Sequence, residues 1–398
     1  MNKIKSFISS SPVNSRLKQS LVTTLGMFGL GLVSTSALAD SNLDQVCKSY
    51  ILQENTTGTV IKSLNPTLRL PPASMVKLMT VYTILSRLDS GDYKLDDKIT
   101  VSAAASRIGG SQVYLKEGEV FTVQQLLEAL MVQSANDAAH ALAEFSAGSV
   151  DEFVKDMNRQ AKKIGLDNSE FQSPHGLPAS SDRSEDLATA EDFSKLARIL
   201  IKRFPTILEL SEVKEKPFRD GTFIMRNHNH LIGKSGIDGL KTGYHSGAGF
   251  NLTATGKKNG VRFISVTMGC EQRKQRDALT LSLIREGIAK YRKYDFSEDL
   301  APETLATDVV GGVPADVPVA LAEPLKAIVP SNRKSDVKVL ASPCKKVVAP
   351  FESGLTCGNV KLVLDDIVLK EVSLLTELGS RKFTFFEKIK SKIGLKIQ

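Results

Sequence analysis

Three short runs in this chain carry residue types that can do acyl-transfer chemistry without a histidine. They are Ser74-Met75-Val76-Lys77, Ser134-Ala135-Asn136 and Lys241-Thr242-Gly243. A serine hydroxyl is a poor nucleophile at neutral pH and needs a base beside it. A lysine three residues on lies one helical turn away, on the same face. If it is desolvated and close to a second cation, its amine is neutral and can take the proton. The start of a helix adds a field that favours developing negative charge. A Ser-x-Asn turn supplies a hydroxyl for proton relay and an amide to hold a substrate carbonyl. A Lys-Thr-Gly run supplies a cation, a hydroxyl for a carboxylate, and a glycine that lets a substrate backbone approach. Ser-x-x-Lys and Ser-x-Asn alone are weak signals and Lys-Thr-Gly a modest one; the three in this order, about 60 and about 107 residues apart, are a strong one.

The elements that must position them follow from periodicity and turn chemistry. Residues 43–65 read as two strands around a Thr-Gly turn. Helical patterns then run over 75–87, 122–133, 136–147, 150–164 and 191–204, with Thr122 and Gln125 in capping-box spacing. The pattern returns to strands from 221. Residues 249–256 and 261–269 flank an Asn259-Gly260 hairpin signal, and 275–293 reads as a helix closing on that sheet. Strands at both ends with helices between them predict an α/β domain with a mostly antiparallel sheet. Near residue 297 the composition shifts to short alternating Val-, Pro- and Gly-rich runs, which predict a small all-β domain over 297–377.

The chain has 398 residues, 41% apolar and 24% charged, which excludes wholesale disorder and a polytopic membrane protein. Its net charge of +8 sits at the two ends. Lys3, Lys5, Arg16 and Lys18 precede the apolar stretch 21–33 and the Ala37-Leu38-Ala39 site, so residues 1–39 read as a cleavable export signal. In the last twenty residues, Arg381, Lys382, Lys388, Lys390, Lys392 and Lys396 face only Glu387. Phe386, Ile389, Ile393 and Ile397 recur at helical spacing there, so 378–398 reads as an amphipathic helix lying on an anionic membrane surface. The body between is close to neutral, which argues against nucleic acid as a partner. An exported chain can keep disulfides. Of Cys47, Cys270, Cys344 and Cys357, the pair Cys344–Cys357 is the most local candidate; Cys47 and Cys270 form either a second bridge or buried free thiols.

The triple of motifs is that of serine β-lactamases and penicillin-binding proteins. The longer runs PPASMVKLMT, VQSANDAA, His175-Gly176-Leu177, DGLKTG at 238–243 and VTMGCEQRKQRDA extend the match. The chain resembles the low-molecular-mass penicillin-binding proteins that act as D-alanyl-D-alanine carboxypeptidases, closely over 45–290 and in architecture beyond. The resemblance implies a signal at 1–39 and a penicillin-binding/β-lactamase-like transpeptidase domain over 40–296, an antiparallel sheet flanked by helices plus a helical subdomain. It implies a β-rich domain over 297–377 and a membrane-anchor helix over 378–398. Ser74 is then the acylated nucleophile and Lys77 its base. Ser134 and Asn136 relay the proton and hold substrate, with Lys241 completing the network. Thr242, with Arg276, meets the terminal carboxylate, and the backbone N–H groups of Ser74 and Tyr244 form the oxyanion hole. The implied partners are peptidoglycan stem peptides, β-lactams and the periplasmic face of the cytoplasmic membrane; no cofactor or metal is implied.

Three positions depart from the common pattern. Tyr244 follows Lys-Thr-Gly where the best-known relatives have His, Ala135 stands for the commoner Gly, and His228 falls where relatives carry Arg. A class A β-lactamase needs a Glu that activates water, but Glu170 is followed by Phe-Gln-Ser-Pro and no Glu-x-x-Leu-Asn occurs between Asn136 and Lys241. A peptidoglycan D,D-endopeptidase and a non-enzymatic envelope scaffold are the remaining alternatives. The five histidines lack metal spacing, His175 reads as a loop brace, and Asp137 reads as a helix-start residue.

Overall fold

The computed structural model describes residues 45–181, 183–300 and 305–393. The export signal expected over 1–39 and Ile397 of the terminal helix lie outside the described residues. The first sheet has five antiparallel strands: β1 (Ser49–Glu54), β2 (Val60–Leu64), β3 (Ile237–His245), β4 (Gly249–Lys258) and β5 (Val261–Cys270). Their order is β2-β1-β5-β4-β3, so strands from the two ends of the domain pair at its centre, Ile51 opposite Val266. Central strands are apolar on both faces because both faces are covered. Ile51, Ile264, Val266 and Met268 join one core, while Tyr50, Leu52, Leu252 and Phe263 join another beneath the closing helix. The β4–β5 turn holds Asn259 and Gly260 at φ 52° and 76°, the geometry that the Asn-Gly signal predicts.

The helices form where the periodicity places them: α1 (Lys77–Asp89), α2 (Val123–Val132), α3 (Asn136–Ala147), α4 (Val150–Lys163) and α5 (Ala190–Arg203). The capping box at the start of α2 is complete: Gln125 N–H donates to Thr122 Oγ1 at 3.0 Å, and Thr122 N–H to Gln125 Oε1 at 2.8 Å. The closing helix α6 (Arg273–Lys290) is shorter than the expected 275–293 at its C-terminus. The chain leaves it directly into β6 (Tyr291–Asp295), which pairs antiparallel with Lys326–Pro330. A strand thus already begins at Tyr291, ahead of the composition shift near 297.

That second domain is all β among the described residues apart from short 3-10 turns. It has its own core of Val317, Val319, Val360, Leu362, Val372 and Leu374. The tail forms α7 (Phe385–Lys392), opened by a second capping box between Thr384 and Glu387. None of its residues is buried; Phe385 is 73% and Phe386 75% exposed. The apolar face of this helix therefore does not pack on the protein's own core. No helix among the described residues is long and apolar enough to cross a membrane.

The cysteines pair differently from the local expectation. Cys47 and Cys270 are disulfide-bonded, while Cys344 and Cys357 are free thiols. The bridge continues the β1–β5 register, in which Ser49 faces Met268, so the sulfurs meet across adjacent strand ends. Cys344 and Cys357 are also neighbours, with Cys344 N–H donating to Cys357 O at 3.2 Å, but Cys357 serves as a fully buried core residue. Replacing Cys47 by Ala is expected to lower stability by about 2–4 kcal/mol. Thermal unfolding with and without reductant checks this: reductant should lower the midpoint of the native chain and leave that of Cys47→Ala unchanged.

Candidate active site

Ser74 lies in a 3-10 turn, Ala73–Val76, that runs straight into α1 at Lys77. The turn is forced into close quarters by two glycines. A Cβ at Gly243 would lie 2.3 Å from Pro72 O, and one at Gly176 would lie 2.0 Å from Ala73 O. The glycine of Lys-Thr-Gly is therefore needed for the turn that carries Ser74, beyond the expected room for a substrate backbone. Gly176 also has φ 75°, which an L side chain rarely adopts.

Lys77 is completely buried and its amine is surrounded by oxygen atoms. Nζ lies 3.0 Å from Ser74 Oγ, 2.6 Å from Asn136 Oδ1 and 2.8 Å from the carbonyl of His175. Burial, and then the nearby Lys241 cation, pull its pKa well below the ordinary lysine value; Asp137 and Asp186 oppose the shift. Lys241 is buried as well. Burial, then Arg276, draws it down to about 7, and its Nζ donates to Thr242 O at 3.2 Å. A lysine amine held neutral next to a serine hydroxyl can accept the hydroxyl proton.

Ser134 and Asn136 reach the site from the turn between α2 and α3. Ser134 is held at φ 61° and is 2% exposed, a left-handed conformation fixed by its neighbours. Asn136 Nδ2 donates to Gly109 O at 2.8 Å, which uses one of its two N–H bonds. Asp137 has a larger part than a helix start. Its buried carboxylate accepts from Val113 N–H at 3.2 Å and Leu115 N–H at 3.0 Å, clamping the loop opposite. Burial raises its pKa, and the backbone donors offset part of that rise.

The Lys-Thr-Gly run lies on β3, the edge strand, so its free backbone faces the cleft. Ser74, Ser134, Thr242, Gly243, Tyr244 and Arg276 line one cavity of about 330 Å³. Lys77, Asn136 and Lys241 lie buried below it. Arg276 is 2% exposed and braced by Asp277 at 2.6 Å. Tyr244 is 57% exposed and stacks on Phe250, centroids 4.2 Å apart. His228 lines the same cavity, and burial followed by the Lys241 and Lys77 charges lowers its pKa to about 4, so the ring is neutral at pH 7. It does not replace the charge of an arginine.

Sequence reasoning left out Ser111 and Arg273, which line the cavity too. It also missed that His175 acts through its carbonyl. Ser173 and Asp186 fix that loop: Asp186 accepts from Ser173 Oγ at 2.8 Å, and Ser173 Oγ accepts from Gly176 N–H at 2.8 Å. The His-Gly-Leu run was the available signal. Glu170 is exposed and pairs with Arg69 at 3.2 Å, and none of the cavity's lining residues is acidic.

A serine and two buried lysines between a helical subdomain and an edge strand define a serine acyl-transfer enzyme of the penicillin-binding fold. Residues 36–272 match the D-alanyl-D-alanine carboxypeptidase family, and 303–378 match the penicillin-binding protein 5 C-terminal domain. The chain belongs to the D-alanyl-D-alanine carboxypeptidase family. It is 34% identical over 360 residues to D-alanyl-D-alanine carboxypeptidase DacF of Bacillus subtilis (strain 168), covering 89% of this chain and 91% of that protein. It is 31% identical to D-alanyl-D-alanine carboxypeptidase DacA of Escherichia coli (strain K12), covering 87% of each. Penicillin binding protein 5 from Haemophilus influenzae superposes with a TM-score of 0.68 at 28% identity, covering 85% of this chain and 98% of that one.

The electrostatics of Lys241 carry a stability consequence. Its folded pKa is depressed to about 7, against about 10.4 unfolded. The folded state therefore binds fewer protons, and stability rises with pH between those values. Lys241→Gln is expected to be more stable than the native chain at pH 6, with the gain shrinking as pH approaches 10. Thermal midpoints of both proteins across pH 6–10 check it.

Proposed function

We propose that this enzyme removes the terminal D-alanine from peptidoglycan stem peptides through a Ser74 acyl-enzyme. The observation that carries the assignment of roles is the Lys77 amine, stripped of water, 3.0 Å from Ser74 Oγ and lowered in pKa. Lys77 takes the hydroxyl proton as Ser74 Oγ attacks the carbonyl carbon of the D-Ala–D-Ala bond. The developing oxyanion is met by the N–H groups of Ser74 and Tyr244. Thr242 and Arg276 receive the terminal carboxylate, and Arg273 adds a second cation on that side. Ser134, beside the departing amine, passes the proton to it, and water then releases the shortened peptide. β-Lactams present the same carbonyl and carboxylate and acylate the same serine.

From the leader expected over 1–39 and the terminal helix we infer that the enzyme works outside the cytoplasm, on the outer surface of the cytoplasmic membrane. Exposed Phe385, Phe386, Ile389 and Ile393 beside Lys388, Lys390 and Lys392 support interfacial binding, and the β-rich domain is the stalk between anchor and active site.

Ser74→Ala is expected to lose both covalent labelling by fluorescent penicillin and D-alanine release from diacetyl-Lys-D-Ala-D-Ala. Release by the purified variant would overturn the nucleophile assignment. Removing residues 379–398 should move the enzyme from the membrane to the soluble fraction with D-alanine release retained; unchanged membrane association would refute the anchor.

A further inference from the structure

The catalytic cavity does not end the cleft. A second, open cavity of about 750 Å³ adjoins it, and His228 and His230 line both. Gln133, next to Ser134 in the chain, lines the second cavity. The two cavities therefore meet beside the turn that carries Ser134.

Its walls are built rather than incidental. Tyr114 stands between Val113 and Leu115, the two residues whose N–H groups Asp137 clamps. This throws Tyr114 outward at φ 58° and 66% exposed, edge-to-face on Phe223 at 6.0 Å. Arg219 then donates to Tyr114 O at 2.7 Å and fixes the turn. The lining also includes two lysines. Lys214 Nζ lies against Gly233, 3.4 Å from where a Cβ would stand, and Lys234 follows in the chain. Both line the cavity, and neither has an ion-pair partner among the described residues. Arg226 is already held by Glu215 at 3.0 Å. The cavity thus offers an apolar aromatic rim and two unneutralised ammonium groups.

We propose that this cavity is a leaving-group subsite, built to take a terminal D-residue whose side chain is longer than a methyl and ends in a carboxylate. The inference rests on the Ser74 reading above. The chemistry is unchanged: Ser74 Oγ bonds the D-Ala carbonyl carbon, the C–N bond breaks, and the amine of the terminal D-residue leaves with the proton that Ser74 gave up. Water then hydrolyses the acyl ester. What differs is the leaving group, whose apolar stem lies along Tyr114 and Phe223 and whose acid end meets Lys214 and Lys234.

The test compares diacetyl-Lys-D-Ala-D-Xaa peptides with D-Glu, D-Lys or D-Ala as the last residue, using the purified full chain and following the released amino acid. The expected result is that kcat/KM for D-Glu exceeds that for D-Lys by about threefold or more, the size of two screened surface ion pairs. The ratio should fall toward one in Lys214→Gln/Lys234→Gln and in high salt. If D-Ala is released but the D-Glu to D-Lys ratio is near one, or is unmoved by the double substitution, the subsite is overturned and the carboxypeptidase reading stands. If no peptide is turned over and penicillin leaves Ser74 unlabelled, that reading falls and the subsite with it.

Discussion

The buried amine of Lys77 is the constraint on which the rest of the structure depends. A lysine with no access to water is tolerated when its nitrogen is hydrogen-bonded, and each of its three oxygen partners comes from a different part of the chain. Ser74 comes from the same turn, Asn136 from the start of α3, and the His175 carbonyl from a loop braced by Ser173 and Asp186. Bringing them within reach requires backbone placements that side chains would prevent, which is why Gly176 and Gly243 press against the turn that carries Ser74. The left-handed Ser134 and Ala73 mark where the surrounding packing overrides local preference.

The second lysine adds to the effect of burial on this amine. Lys241 lies on the edge strand β3, whose position is fixed by pairing with β4 along its length. Its charge, with burial, disfavours a proton on Lys77, and Arg276 in turn lowers Lys241. All three basic groups, Lys77, Lys241 and Arg276, are buried and lowered in pKa chiefly by burial, and Arg276 is braced by Asp277. A neutral His228 in this field adds no further charge.

Asp137 ties the catalytic turn to the outer cleft. One carboxylate next to Asn136 orders the loop that carries Tyr114, so the catalytic motif and the rim of the adjoining cavity form one unit. Binding of a longer leaving group would then act on a wall continuous with the Ser-x-Asn turn. The β-rich domain shares none of this wiring; it folds around its own core and carries a helix whose apolar face is left exposed.

Much of this was legible in the sequence because it is local. The Ser-x-x-Lys spacing sets a same-face pair, the Thr122 and Gln125 box sets a helix start, and Asn259-Gly260 sets a hairpin, each within a few residues. The residues of the three motifs were legible too, by type and order, and the fold brings them together. What depended on distant segments was not. The His175 carbonyl 98 residues from Lys77, the Asp137 clamp on Val113 and Leu115, and the 223-residue span from Cys47 to Cys270 have no local signature. The sequence left the pairing open, because separation along the chain says little about which strand ends meet in a sheet. The sequence alone determined which groups could react. Only the tertiary structure decided their protonation, because a lysine's pKa is set by the water removed and the charges brought near, and both are properties of the packed fold.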